Sequence, residues 1–144
     1  MILPAFIAAF FILGAVQEEF GWRGYALERL QKQWNPFVSS LVLGGIWAIW
    51  HLPLFFIEGT GQSKTPFLLF FIGTFSISII YTWLYNGTGR SLLIVLLFHA
   101  MHNTSYNLFP LTLLPNSNQA FLYLVILQSI AAFVIVWKTE FMIK

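Results

Sequence analysis

The sequence predicts an all-α, polytopic membrane helix bundle, and three observations predict it. Of the 144 residues, 58% are hydrophobic and only 8% are charged, against about 25% charged in an ordinary soluble domain. Apolar residues run almost continuously through 37–57, 67–85, 91–109 and 121–137, each close to the roughly 20 residues that a bilayer-spanning helix needs. No ten-residue alternating segments suggest a barrel. Hydrocarbon offers no partner for backbone N–H and C=O groups, so the spans are helices.

A fifth apolar stretch, 2–16, is shorter. As a helix it is about 22 Å long at roughly 1.5 Å per residue, and it reaches bilayer length only if the helix continues past Glu18. Read as a secretory signal it lacks a basic start, and cleavage near Gly14 would discard the run leading to the glutamates, so it counts as a span. Next, 21–34 interleaves Trp22, Tyr25, Ala26, Leu30 and Trp34 with Arg23, Glu28, Arg29 and Lys32, the pattern of an interfacial amphipathic helix. Asn35-Pro36 ends it, because proline disfavours helix in the residue before it. A loop at 59–66, a turn at 86–89 and a loop at 110–118 separate the later spans. The chain therefore reads as about five transmembrane helices plus one interfacial helix, in a single domain over 1–144 without internal repeats.

If five helices alternate, 17–36, 86–90 and 138–144 share one side with Arg23, Arg29, Lys32, Arg90, Lys138 and Lys144, while Lys64 alone lies opposite. That bias predicts a multi-pass cell-membrane protein with its N-terminus outside, its C-terminus cytoplasmic and Glu18 near the cytoplasmic face. The net charge of +2 is too small and too scattered to argue for a nucleic-acid partner. With no cysteine, a disulfide framework, a thiol nucleophile and a thiolate metal site are all excluded.

Ionisable residues at membrane depth are costly and mark functional sites by default. Glu18, Glu19 and Arg23 sit where the first apolar stretch ends. Neighbouring glutamates on a helix point about 100° apart. Glu19 and Arg23, at i and i+4, meet on one face and leave Glu18 for another partner; the bland reading is a charged helix end at the headgroups. His51 lies in an otherwise apolar run, two residues before Pro53, which cannot donate to the Ile49 carbonyl and so predicts a kink beside the imidazole. His99 and Asn103, four apart, project from one helical face, and His102 is placed to share it. Taken singly, His51 reads more readily as hydrogen-bonded to a neighbouring helix, and interhelical glue is the bland reading of the His99–Asn103 facet.

Together, one free carboxylate, two imidazoles and an amide can hold and polarise a water molecule. Two chemistries fit. Glu18, His51 and His99 can bind zinc and leave a fourth position for water, or Glu18 can take a proton from water without a metal while histidine and Asn103 donate to an oxyanion. His-Glu-x-x-His and Gly-x-Ser-x-Gly are both absent, so the zincin helix and the serine elbow are excluded. Buried glutamate and histidine also build proton relays, but no broken-helix pair or inverted repeat supports a transporter.

The ordered set Glu-Glu-x-x-x-Arg, aromatic-x-x-x-His and His-x-x-x-Asn, from Glu18 to Asn103, resembles the CPBP family, the CAAX-protease and bacteriocin-processing (Abi) intramembrane endopeptidases. The resemblance implies that Glu18 activates water, that Glu19 and Arg23 support it, and that His51, His99 and Asn103 complete the site as zinc ligands or oxyanion donors. It further implies a hydrophobic or lipid-modified peptide or protein substrate drawn from the bilayer; the eukaryotic branch trims prenylated C-termini. A non-catalytic bacteriocin-immunity or scaffold protein of the same fold is the alternative. Trp47 stands where the second motif usually has Phe, and fewer apolar residues precede the glutamates than in the family pattern, which makes the chain a short form or a fragment of it.

Overall fold

The computed structural model describes residues 2–109 and 114–142, and among them every regular element is helical. Helix α1 (Ile2–Phe11) is separated from α2 (Ala15–Gly21) by a break at Gly14, whose φ of +111° is a conformation that side chains rarely adopt. From α2 the chain runs directly through a π-helical turn (Trp22–Leu27) into the single turn α3 (Glu28–Leu30). The condition for a first span is thus met, and Ile2–Leu30 is long and apolar enough to cross a bilayer.

The segment 21–34, expected as an interfacial amphipathic helix, turns one face to the core. It continues α2 without a gap, and Arg23 and Leu27 turn into the core while Tyr25 and Trp34 face outward. Arg23 is drawn inward by its buried partners, described below. One basic residue therefore leaves the headgroup tally, and the asymmetry becomes five against one.

Asn35 ends the first unit and starts the second: its Oδ1 accepts from the Val38 N–H at 2.9 Å and caps α4 (Pro36–Trp50), with proline at the first helical position, where its missing N–H costs nothing. At the far end α4 stops at His51, and the chain tightens into a 3₁₀ turn, Leu52–Phe56, containing Pro53. The expected kink is a helix terminus. A second 3₁₀ turn (Gln62–Lys64) leads into α5 (Phe67–Gly87), followed by α6 (Leu92–Leu108), α7 (Ser117–Lys138) and a last 3₁₀ turn, Glu140–Met142. Within the predicted loop 110–118, residues 110–113 lie outside the described residues.

Besides Ile2–Leu30, the stretches Pro36–Phe56, Phe67–Gly87 and Ser117–Lys138 are long and apolar enough to span a bilayer. The fifth predicted span, α6, has 17 residues, about 26 Å of helix against a hydrocarbon core of roughly 30 Å. The chain is a multi-pass membrane protein.

Helices in lipid associate through close packing and hydrogen bonds rather than through the hydrophobic effect, and small residues mark the contacts here. Helix α4 packs on α5, α5 on α7 and α1 on α6. At Gly44 a Cβ would lie 3.0 Å from Ser78 Cβ and 3.2 Å from the Phe75 Cα, so glycine sets how closely α4 and α5 approach. Ala9, Ala15 and Ala100 do the same where α1 and α2 meet α6. Leu27, Leu43, Trp47, Ile77, Tyr81, Tyr85 and Val95 fill the centre.

Candidate active site

Glu18 and Glu19 leave α2 in different directions, as their spacing requires. Glu19 is fully buried, and its Oε1 accepts from Arg23 Nη1 at 3.0 Å on the same helix. The same oxygen meets Nδ1 of His99 at 2.8 Å on α6. Arg23, also fully buried, donates from Nη2 to Ser78 Oγ at 3.3 Å, and the Ser78 hydroxyl donates to the Ser40 carbonyl at 2.9 Å. The guanidinium carbon lies 5.1 Å from the Trp47 ring and 4.8 Å from the Tyr81 ring, where both π faces favour a cation. One ion pair thus ties α2, α4, α5 and α6 together.

Glu18 faces the opposite way, into a cavity of about 600 Å³ that Trp47, His51, His99, His102 and Asn103 also line. Its Oε2 accepts the Trp47 indole N–H at 2.6 Å. The cavity's remaining walls are largely apolar, with Leu13, Trp50, Leu54, Phe70 and Ile77 among them. Of the residues expected at the site, Glu18, His51, His99 and Asn103 line one cavity, while Glu19 and Arg23 stand behind it. A second, open recess of about 680 Å³ beside the turn from α3 to α4 is lined by Lys32, Asn35 and Glu140 and holds none of the motif residues.

Both motif histidines are fixed by their Nδ1 atoms. His51 Nδ1 lies 2.9 Å from the Trp47 carbonyl, which has no proton to give, so the ring must donate there. His99 Nδ1 meets a carboxylate oxygen that already accepts from Arg23, and it donates for the same reason. Each neutral ring therefore keeps its lone pair on Nε2, and either becomes a donor at that atom only as an imidazolium. Asn103 is anchored too: its Nδ2 donates to the Leu13 carbonyl at 2.8 Å, just before the helix break.

His102, whose part the sequence left open, is held on both sides. Its Nδ1 lies 3.4 Å from the Tyr81 hydroxyl and its Nε2 3.2 Å from Gln128 Nε2 on α7. Thr104 and Ser105 return their hydroxyls to the carbonyls of Ala100 and Met101 one turn back, so they do not add to the facet.

A carboxylate and two imidazoles are suitable zinc donors. Among the described residues, however, no three His, Asp or Glu side chains are grouped to hold a metal in this conformation.

Sequence reading overlooked Trp47 as a partner of Glu18, Ser78 and Tyr81 as partners of Arg23, and Gln128 and Phe121 as part of the cavity wall. For α5 a signal existed: Thr74, Ser78, Tyr81, Thr82 and Tyr85 recur every three or four residues, and all are buried. Gln128 and Ser129 are the polar pair midway along lipid-length α7, and nothing local points Gln128 to the cavity.

Comparisons with known proteins show the family. The family model described as "Type II CAAX prenyl endopeptidase Rce1-like" matches residues 2–105, a stretch that contains all six motif residues. The chain is 34% identical over 107 residues to CAAX prenyl protease 2 of Methanococcus maripaludis, covering 70% of this chain and 40% of that protein. It is 35% identical over 91 residues to lysostaphin resistance protein A of Staphylococcus haemolyticus, covering 62% of this chain and 23% of the relative. The alignments thus span less than half of either relative's length. With its three motifs converging inside a helical membrane bundle, the chain belongs to the Rce1-like family of type II CAAX prenyl endopeptidases.

Proposed function

We propose that the protein is an intramembrane endopeptidase in which Glu18 activates the attacking water. The observation that carries this reading is the shared cavity: Glu18, His51, His99 and Asn103 come from three separate helical segments yet line one space. In the proposed reaction Glu18 removes a proton from water, and the water oxygen adds to the carbonyl carbon of the scissile peptide. His51 or His99, as an imidazolium, donates from Nε2 to the resulting oxyanion, and Asn103 adds an amide on the same wall. The intermediate then collapses, the C–N bond breaks, and the proton held by Glu18 passes to the leaving amine. Glu19 and Arg23 act through His99, by fixing its ring.

The mostly apolar walls suit a substrate segment arriving from the bilayer, and the relative named as a CAAX prenyl protease supports a membrane-associated, lipid-modified peptide. Five basic residues against one support a cytoplasmic C-terminus, with cleavage near that face. Were zinc bound by Glu18, His51 and His99, it would supply an acidified water; no step above depends on it. A second reading, a non-catalytic immunity or scaffold role, draws its support from the likeness to the lysostaphin resistance protein.

The test is cleavage of a fluorogenic membrane-peptide library, prenylated and unprenylated, by protein purified in detergent, comparing wild type with Glu18→Gln, Glu18→Ala and His99→Ala. Equal hydrolysis in all four would end the enzyme reading. Protection of cells by the Glu18→Gln variant at the wild-type level would support the immunity reading instead. Activity that survives a chelator, in protein without stoichiometric bound zinc, is expected; loss restored only by zinc would replace the metal-free mechanism.

A further inference from the structure

We propose that Trp47 is a positioning residue for Glu18, its indole N–H holding one carboxylate oxygen so that the other is the one presented to the attacking water. This inference rests on the function proposed above. It begins from the departure in the second motif, where this chain carries tryptophan and the pattern usually has phenylalanine. Phenylalanine has no hydrogen-bond donor. Here the indole Nε1 reaches Glu18 Oε2 at 2.6 Å, a polar contact that a phenylalanine ring could not make.

The surroundings assign the two carboxylate oxygens different tasks. Oε2 is taken by Trp47. Oε1 lies over the bare Cα of Gly14, in the space that a Cβ there would fill, and Asn103 Nδ2 is 3.7 Å from that same point. The second oxygen of the base and the motif amide thus border one position. Trp47 is itself held in place: it is almost fully buried, its ring lies 5.7 Å from His99 and 5.9 Å from His51, and the Arg23 guanidinium sits against it. An indole fixed on several sides loses little freedom in making its hydrogen bond, and a carboxylate bound at one oxygen cannot rotate to exchange the two. Proton transfer is sensitive to such placement.

Two variants separate the N–H from the ring. Trp47→Phe removes donor and bulk together. Site-specific replacement of Trp47 by β-(3-benzothienyl)alanine exchanges the N–H for sulfur and keeps the bicyclic shape. Both are expected to lower kcat roughly 10- to 100-fold, the worth of one hydrogen bond to a charged group, with KM within about twofold of wild type. Full activity in the benzothienyl protein would overturn the proposal, even if Trp47→Phe were impaired, because the ring alone would then suffice. A contact readout is independent of turnover: in ¹⁵N-indole-labelled protein, the resonance lost in Trp47→Phe should shift in Glu18→Gln. An unshifted resonance would also overturn the proposal. Wild type that hydrolyses nothing while that resonance shifts as expected would instead refute the enzyme reading and leave the contact standing.

Discussion

Glu19 Oε1 meets His99 Nδ1 at 2.8 Å across 80 residues of chain, while the same oxygen takes the Arg23 guanidinium from one turn away. A single buried carboxylate oxygen thus links the first and third motifs. In hydrocarbon neither charge has water to fall back on, so each depends on the other.

Removing one partner should therefore cost more than an ordinary substitution. Arg23→Ala is expected to destabilise the fold by about 3–5 kcal/mol, because it removes the cation and leaves the buried Glu19 carboxylate with the His99 contact alone. Glu19→Gln keeps the shape but loses the charge that holds His99, and kcat should fall roughly 10- to 100-fold. Thermal melts in detergent by circular dichroism, together with the peptide assay, measure the two effects. A melting temperature unmoved in Arg23→Ala would contradict the ion pair.

Gly14→Ala should damage the site locally. The φ of +111° is strained for any residue with a side chain, at about 1–3 kcal/mol, and the new Cβ would collide with the Glu18 carboxylate. Helix content should survive while hydrolysis is strongly reduced. Wild-type activity in this variant would mean that the break between α1 and α2 does not place Glu18.

The two histidines of α6 should separate by function. His99→Ala is expected to abolish hydrolysis, whereas His102→Ala loses the contacts to Tyr81 and Gln128, worth about 1 kcal/mol or less apiece in a membrane bundle. Its melting temperature should drop slightly and its kcat should stay within a few-fold of wild type. Equal loss of activity in both variants would place His102 among the catalytic residues.

Orientation can be tested directly because the sequence has no cysteine. Lys32 and Lys64 are both exposed and fall on opposite sides of the predicted topology. With a membrane-impermeant maleimide on intact cells, Lys64→Cys should label and Lys32→Cys should be protected until the membrane is opened. The reverse pattern would invert the topology.

Much of the architecture was legible from composition alone, since continuous apolar runs of bilayer length leave the backbone little choice but helix. The motif spacings were legible as well. A period of 3.6 residues places Glu19 beside Arg23 and His99 on the face of Asn103 whatever surrounds them. The inward turn of Arg23 was not legible: an interleaving of aromatic and charged residues says nothing of which charge is buried, and only the presence of Glu19, Ser78 and the Tyr81 ring explains why Arg23 points inward.

What the linear order of residues determined is a membrane helix bundle carrying an acid, two imidazoles and an amide, with each pairing that lies within one or two helical turns. What only the tertiary structure decided is which groups meet across the bundle: His99 with Glu19, the Trp47 indole with Glu18, Gln128 with His102. Those meetings depend on how closely α4 approaches α5 at Gly44 and on where Gly14 breaks the first helix. Interhelical distance and a single backbone torsion are properties of packing, and no local pattern encodes them.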